Sequence, residues 1–240
     1  MDIFARTRLL LGDAAMEKLQ GSTVAIFGLG GVGGYVMEAL ARSAVGTLVL
    51  VDHDTISPTN LNRQILATHD TVGQDKVDAA AARALQINPN ITIVRKKLFF
   101  SAQTATKFDF TQYHYVVDAI DTVSAKLALI QAAKQADVPI LSCMGTGNKL
   151  DPTASQIADI SKTSVCPLAR IMRKECKARA IGPVKVLFSM EDPVRAATDF
   201  ADEELPQGRR ALPGSVCYVP AAAGFMIAGE VVRDLISVKK

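Results

Sequence analysis

The stretch Thr23-Val24-Ala25-Ile26-Phe27-Gly28-Leu29-Gly30-Gly31-Val32-Gly33 decides the fold. Five apolar and β-branched residues run into Gly-x-Gly-x-x-Gly, and Val32, Val36, Met37, Leu40 and Ala41 then fall at helical spacing up to about Ser43. A strand, a tight glycine turn and a helix start together make an anion site. The first N–H groups of a helix lack intrahelical partners, and its dipole is positive at that end. Asp52 follows Gly33 by 19 residues, at the end of a second apolar run, where an acid accepts hydrogen bonds from a ribose. These features specify a bound nucleotide and do not distinguish NAD from ATP.

Working outward, apolar β-branched runs alternate with helical patterns over the first 145 residues, the signature of strand-helix-strand units and a parallel sheet. Strands are predicted at 23–27, 47–51, 91–95, 115–118 and 140–143. Helices at 74–86 and 124–135 close ahead of Asn88-Pro89 and Val138-Pro139, where proline cannot continue them. Past residue 150 the pattern predicts a strand at 155–160, a basic helix at 167–179 and a strand at 184–189. A polar, proline-bearing loop at 192–213, a strand at 216–219 and a small-residue helix at 220–236 complete the chain. The expected class is α/β: a Rossmann-like, doubly wound, mainly parallel sheet with an antiparallel C-terminal extension. A single domain over 1–240 is expected, with a nucleotide-binding half at 1–150 and the extension at 151–240.

With 240 residues, 49% of them hydrophobic and 21% charged, the chain is able to bury one substantial core. A net charge of +3 is too small to argue for nucleic acid by itself, but seven of the cations fall between Lys162 and Lys185 against one acid, Glu175. That run reads equally as a polyanion footprint or as one solvated helix face, and no aromatic residue is interleaved for base stacking. Asp2, Arg6 and Arg8 interrupt any secretory signal pattern, and the longest apolar stretch is too short for a membrane span. A cytoplasmic protein is expected, with the C-terminal helix free to pack on a core, on a second subunit or on a membrane surface. Cys143, Cys166, Cys176 and Cys217 form no Cys-x-x-Cys pair, which leaves a zinc site unsupported.

The remaining marks bear on chemistry. Asp118 and Asp121 close the fourth strand, at the crevice where such sheets bind ligands. Two carboxylates beside a pyrophosphate repel it unless a cation intervenes, which suits a magnesium nucleotide better than NAD. Asp121 is the expected metal ligand and Asp118 the expected cap of the next helix. Arg63 and Lys76 add positive charge where an attacked α-phosphate gathers negative charge, and Asn60 and Asn62 can donate to phosphate oxygens. By spacing alone, Arg63 and Lys76 read equally well as ordinary surface cations.

Phe4-Ala5-Arg6-Thr7, the glycine turn, Val51-Asp52-His53-Asp54, Asn60-Leu61-Asn62-Arg63-Gln64, Thr71-Val72-Gly73-Gln74-Asp75-Lys76 and Asp118-Ala119-Ile120-Asp121-Thr122 together resemble the adenylating enzymes related to ubiquitin-activating enzymes. The resemblance covers nearly the whole chain. Within that superfamily the sequence looks most like the bacterial tRNA threonylcarbamoyladenosine dehydratases, through weaker marks at 145–152, at Pro167-Leu168-Ala169-Arg170 and at Pro213-Gly214-Ser215. Cys166 departs from this pattern, standing where the branch is expected to carry an aspartate.

The resemblance implies ATP and Mg2+ as cofactors. Gly28, Gly30, Gly31, Gly33, Asp52, Asn60, Arg63, Lys76, Asp121 and Thr122 would line the nucleotide site, with Asp121 on the metal. Arg63, Lys76 and Arg6 would be catalytic, Arg6 acting across a homodimer interface on the neighbouring subunit's triphosphate. The implied reaction adenylates the threonyl carboxylate of the modified adenosine at position 37 of tRNA and then closes a ring. The nearest rival is activation of a ubiquitin-like sulfur-carrier protein at its C-terminal carboxylate, in which Cys166 or Cys217 would accept sulfur or a thioester. A rival of another class is a nucleotide-binding regulatory protein without turnover.

Overall fold

The computed structural model describes residues 2–195, 197 and 213–237. Seven strands form one sheet: β1 (Thr23–Phe27), β2 (Thr47–Asp52), β3 (Thr92–Lys97), β4 (Tyr115–Asp118), β5 (Ile140–Cys143), β6 (Ser155–Asp159) and β7 (Lys185–Ser189). Their spatial order is β3-β2-β1-β4-β5-β7-β6. Every neighbouring pair is parallel except β6 with β7, which supplies the expected antiparallel extension. The chain winds outward from β1 through β2 to β3, then returns to lay β4 on the other side of β1. The strand order therefore reverses between β1 and β4. In such sheets the crevice beyond the carboxyl ends at this reversal is where ligands bind.

Register sets the geometry of that crevice. Phe27 pairs with Val51 on one side and with Asp118 on the other, so β1, β2 and β4 end level. Seven helices complete the described chain: α1 (Ala5–Leu11), α2 (Asp13–Gln20), α3 (Gly33–Arg42), α4 (Lys76–Ile87), α5 (Val123–Gln135), α6 (Pro167–Ala178) and α7 (Tyr218–Ile236). One sheet face packs on α3, α4 and α7 through a core that includes Val36, Leu40, Leu48, Leu50, Ala80 and Ile227. The opposite face packs on α5 and α6 through Ala25, Val49, Val116, Leu129, Ala169 and Met172. Each large aliphatic side chain so buried contributes about 1.5–3 kcal/mol. On that second face the Phe27 ring meets Phe100, Phe108 and Phe110 at centroid distances of 4.9, 5.2 and 6.0 Å. These contacts pin the segment after β3 beneath the crevice.

Two differences from the sequence-based expectation have physical causes. The strand predicted at 216–219 is instead the entry to α7, with Cys217 as its N-cap. Pro220 sits in the first turn, where no intrahelical N–H bond is needed; Val219 and Pro220 are buried, and Pro220 lies against Gly31 of the glycine turn. The helices α1 and α2 were not anticipated; α1 buries no residue within this chain and so has no amphipathic signature to read. The loop predicted at 192–213 lies mostly outside the described residues. Among the described residues no helix is long and apolar enough to cross a membrane. The apolar face of α7 is taken up by the core: Val219, Ala223, Ile227, Ala228 and Val231 are buried, and a Cβ on Gly224 would lie 2.7 Å from the Val32 carbonyl oxygen of α3. That packing leaves no support for the membrane contact expected of this helix.

Candidate active site

A cavity of about 1010 Å³ opens over the level ends of β1, β2 and β4. It is lined by Gly28, Gly30, Gly31, Asp52, Asn60, Arg63, Lys76, Asp121 and Thr122, so nine of the ten residues expected at the nucleotide share one wall system. The tenth, Gly33, acts from behind. A Cβ there would lie 1.8 Å from the Gly28 carbonyl oxygen, so the turn closes only around a bare α-carbon. Gly28 has φ of +90°, and a Cβ on it would sit 2.6 Å from the Ala119 carbonyl oxygen. Gly30 is different: a Cβ would meet nothing nearer than the Gln64 side chain at 3.8 Å. Its missing side chain keeps open the space above the turn, where a phosphate approaches the backbone. No side chain caps α3, which leaves its positive end facing that space.

Asp52 is 8% exposed. One carboxylate oxygen accepts the Leu29 N–H at 2.6 Å and the other accepts the Asp54 N–H at 2.9 Å. The acid expected to read a ribose therefore also holds the glycine turn in shape, and a carboxylate has lone pairs left for both tasks. Asn60 occupies a short turn at 58–60, where its side-chain oxygen accepts the Ser57 N–H at 3.2 Å. Asn62 donates to the Ser215 carbonyl oxygen at 3.1 Å, tying this loop to the entry of α7.

The two cations are not ordinary surface groups. Lys76, at the first position of α4, is buried, and its Nζ pairs with Asp54 Oδ2 at 2.8 Å. Arg63 is half-buried, its Nη1 donating to the Thr59 carbonyl oxygen at 2.9 Å and to Asn62 Oδ1 at 3.0 Å. Burial lowers its guanidinium from the usual value, yet arginine stays charged in proteins. Beside them the imidazole of His53 lies 3.1 Å from Asp54 and stands edge-on to Phe99 at 4.8 Å. Asp52, His53 and Asp54 bring three donor atoms within 4.8 Å of one another. The hydrogen bonds of Asp52 to the turn and the ion pair of Asp54 with Lys76 already engage both carboxylates.

The pair Asp118 and Asp121 divides sharply. Asp121 is exposed at the cavity wall and accepts a hydrogen bond from Thr122 Oγ1 at 3.3 Å. Asp118 is wholly buried and is not the cap of α5, a position that Thr122 takes instead. Its Oδ2 pairs with Lys126 Nζ at 3.0 Å and accepts the Ser142 hydroxyl at 2.5 Å, and its Oδ1 accepts the Ile120 N–H at 3.1 Å. Lys126 Nζ, also wholly buried, donates to the Ile120 carbonyl oxygen at 2.8 Å. This network braces the 119–121 turn from beneath. Sequence reasoning missed Lys126, although a lysine in register with Leu129, Ile130 and Ala133 on a buried helix face is a visible signal.

Gln64 also escaped the expected site set. It lines the cavity, and its buried Oε1 has no hydrogen-bond partner among the described residues. A buried acceptor left unsatisfied costs roughly 1–3 kcal/mol, so the site offers a place to a donor from a ligand or water.

Arg6 does not line the cavity. It is exposed on α1, on a helix whose Leu9 and Leu10 are 88% and 84% exposed. Cys166 is buried at the start of α6, and Cys217 is exposed with its Sγ 3.3 Å from the Tyr35 hydroxyl. Cys143, at the cavity floor, is fully buried, and burial pushes its thiol up to about 12.

A glycine turn, a buried acid beside it and two inward cations at the strand-order reversal define a nucleotide-binding protein of the doubly wound α/β class. More narrowly, the chain belongs to the ThiF family, whose sequence profile matches residues 4–240. It is 41% identical over 239 residues to the tRNA threonylcarbamoyladenosine dehydratase of Bacillus subtilis (strain 168), covering 97% of this chain and 94% of that protein. It is also similar to the crystal structure of Escherichia coli tRNA N6-threonylcarbamoyladenosine dehydratase in complex with ATP. The TM-score is 0.87 at 31% identity, over 97% of this chain and 93% of that one. Similarity to the molybdopterin-synthase adenylyltransferase of Salmonella typhimurium is 39% over 128 residues, 52% of this chain and 50% of that protein.

Proposed function

We propose that this chain is an ATP-dependent carboxylate-adenylating enzyme that dehydrates threonylcarbamoyladenosine at position 37 of tRNA. The observation that carries the reading is the single cavity in which the bare glycine turn, Asp52, Arg63, Lys76 and Asp121 meet. Hydride transfer develops no new charge on a phosphate and so makes no catalytic demand for two buried or half-buried cations beside a phosphate turn. Attack on a triphosphate does. The near full-length similarity to dehydratases named for this modified nucleoside supplies the acceptor.

In the first step a carboxylate oxygen of the threonyl group attacks the α-phosphorus, the bond to the β-phosphate oxygen breaks, and pyrophosphate leaves. The product is an acyl adenylate. In the second step a nitrogen or oxygen of the same modified side chain attacks the acyl carbon. AMP leaves with the bonding pair, a proton is lost to solvent, and the nucleoside is lighter by one water. The chain's contribution is position and charge: the N-terminus of α3 and the glycine backbone hold phosphate oxygens, and Asp52 takes the ribose. Lys76 and Arg63 meet the negative charge that grows on the α-phosphate.

Lys76 is held in readiness by Asp54, so the incoming phosphate finds a cation already placed. Asp121 and the phosphates form an all-oxygen donor set of the kind Mg2+ takes, and the ion would supply further charge neutralisation there. Arg6 completes the site from a second copy of the chain, whose α1 would be covered by the homodimer interface. We assign the whole of 1–240 to one adenylating domain acting in the cytoplasm.

The test is ATP–pyrophosphate exchange with Mg2+, comparing tRNA that carries threonylcarbamoyladenosine with the same tRNA lacking it. Exchange that needs the modification, with a product lighter by one water, is the expected result. Exchange only on addition of a ubiquitin-like carrier would replace this reading with the sulfur-carrier one.

A further inference from the structure

We propose that Arg170, Lys174 and Lys177 form a cationic row along α6 that takes the phosphate backbone of the tRNA beside the cavity. The proposal rests on the tRNA reading above and adds a surface to it.

The helix divides cleanly. Ala169, Met172 and Cys176 bury against the sheet, while Arg170, Lys174 and Lys177 are exposed. The spacing i, i+4, i+7 keeps the three charges within roughly 60° of the helix circumference and strings them over about 10 Å. Their neighbours are spoken for: Arg173 donates to the Thr163 carbonyl oxygen and hydroxyl, each at 2.6 Å, and Arg179 pairs with Glu175. Among the described residues none of the three has a carboxylate within ion-pairing distance, whereas Arg42, Arg83, Arg95, Lys97 and Lys185 each have one. A helix face that served only solubility would gain by intrahelical pairing, as Arg179 does with Glu175.

Position points the row at the site. Leu168, in the first turn of α6, lines the cavity, and a Cβ on Gly145 of the cavity wall would lie 3.8 Å from the Leu168 Cβ. Arg170 follows within that turn, about 160° round the helix from Leu168, so the row starts level with the cavity wall and runs along the solvent face of α6. Among polyanions, an RNA strand fits such a line of separated charges on a helix whose first turn borders a cavity that must admit one nucleoside. The absence of aromatic residues on α6 means that the row would track phosphates and leave base identity to the cavity.

The test is the triple variant R170Q/K174Q/K177Q. Fluorescence anisotropy would measure binding of labelled tRNA, with and without the modification, across 50–200 mM salt. ATP affinity and thermal unfolding serve as controls for the fold. The expected result is a loss of tRNA affinity of about tenfold or more and a salt slope smaller by about 2–3, with both tRNAs affected alike and ATP affinity unchanged.

Wild-type protein that binds tRNA with an affinity and slope the variant retains would overturn the row while leaving the dehydratase reading intact. Wild-type protein that binds no tRNA would overturn both. Variant protein that retains tRNA binding but loses binding to vesicles containing phosphatidylserine would replace the RNA with a membrane surface.

Discussion

Lys126 offers the strictest test of how the site is held. Its ammonium and the Asp118 carboxylate are both fully buried and 3.0 Å apart, so neither charge has water to fall back on. Replacing Lys126 with Met removes one charge and leaves the other in a nonpolar setting, which costs about 3–5 kcal/mol. For a chain of this size that is a fall in Tm of roughly 6–20 °C. The loss has a local part as well. The Ile120 carbonyl oxygen loses its Nζ donor, and Asp121 is the next residue, so Mg2+-dependent ATP binding should weaken even well below Tm.

Urea unfolding gives the stability, and ATP titration with and without Mg2+ gives the second effect. A companion variant separates unpaired charge from lost packing. K126M/D118N removes both charges while the asparagine oxygen can still accept the Ile120 N–H, and it should recover most of the stability lost by K126M alone. A cost for K126M below about 1 kcal/mol, or a double variant no better than the single one, would refute the claim that an unrelieved buried charge sets the penalty.

Three further expectations follow from the same geometry. Lys76→Ala should lower adenylation by about 100-fold in turnover with little change in stability, since its partner Asp54 is half exposed and can be hydrated; wild-type turnover would remove Lys76 from the reaction. Arg6→Ala and Lys76→Ala proteins, each nearly inactive alone, should regain about one quarter of wild-type activity when mixed at equal amounts and allowed to exchange subunits, because half the dimers would carry one intact site; no recovery would place Arg6 outside the partner's site.

Glu38 on α3 accepts from Arg83 at 2.5 Å and pairs with Arg42 at 2.7 Å. Burial alone would raise its carboxyl, but the hydrogen bonds from Arg83 and Arg42 outweigh it and hold the pKa below the ordinary 4.5. A depressed folded pKa gives stability that is fully present above 4.5 and is lost as pH falls through the folded value. Wild-type urea midpoints should therefore drop between pH 5 and 3 more steeply than those of Glu38→Gln, and parallel curves would contradict this.

The sequence carried much of the frame because the frame has local causes. The ends of β1, β4 and β5 were legible to the residue, since each is a short apolar run stopped by Gly28, by Asp118 or by the turn beyond Cys143. The helix α6 was legible from its 3.6-residue alternation of buried and charged positions. What failed was whatever depended on contacts made elsewhere. Val216 to Val219 is too short a run to tell a strand from a first helical turn, and its helical state goes with the burial of Val219 and Pro220, the latter lying against Gly31. The helix α1 shows no buried face because, among the described residues, only its last residue, Leu11, packs on the core, and that partly. That nine of the ten residues expected at the nucleotide would share one cavity was legible, because the motif sets them at strand ends, helix starts and the loops between. Their supports, Lys126, Ser142 and Asp54, were not, because each acts through a pairing that exists only once the strands are in register.

That difference explains why two aspartates three residues apart have opposite fates. Both stand at the end of β4, and repulsion of a triphosphate by two carboxylates is what first argued for a metal there. The fold removes half of that problem without a metal. Asp118 turns into the protein, where Lys126 neutralises it and Ser142 and the Ile120 N–H occupy its oxygens, so its charge does not face the cavity. Asp121 alone remains exposed on that wall. In the proposed reaction Asp121 would be the one carboxylate of this pair offered to a divalent ion, and a second facing the cavity would raise the cost of bringing the triphosphate in. The same economy appears across the cavity, where Asp54 keeps Lys76 oriented yet is itself half exposed. Water can take over Asp54 when a phosphate claims the lysine, whereas nothing can take over Asp118. The buried pair therefore fixes the shape of the site, and the pair of buried Lys76 with half-exposed Asp54 is the one that would exchange partners in the proposed reaction. Exchanging their roles, by burying Asp54 or exposing Asp118, would cost the enzyme substrate affinity in the first case and the placement of Asp121 in the second.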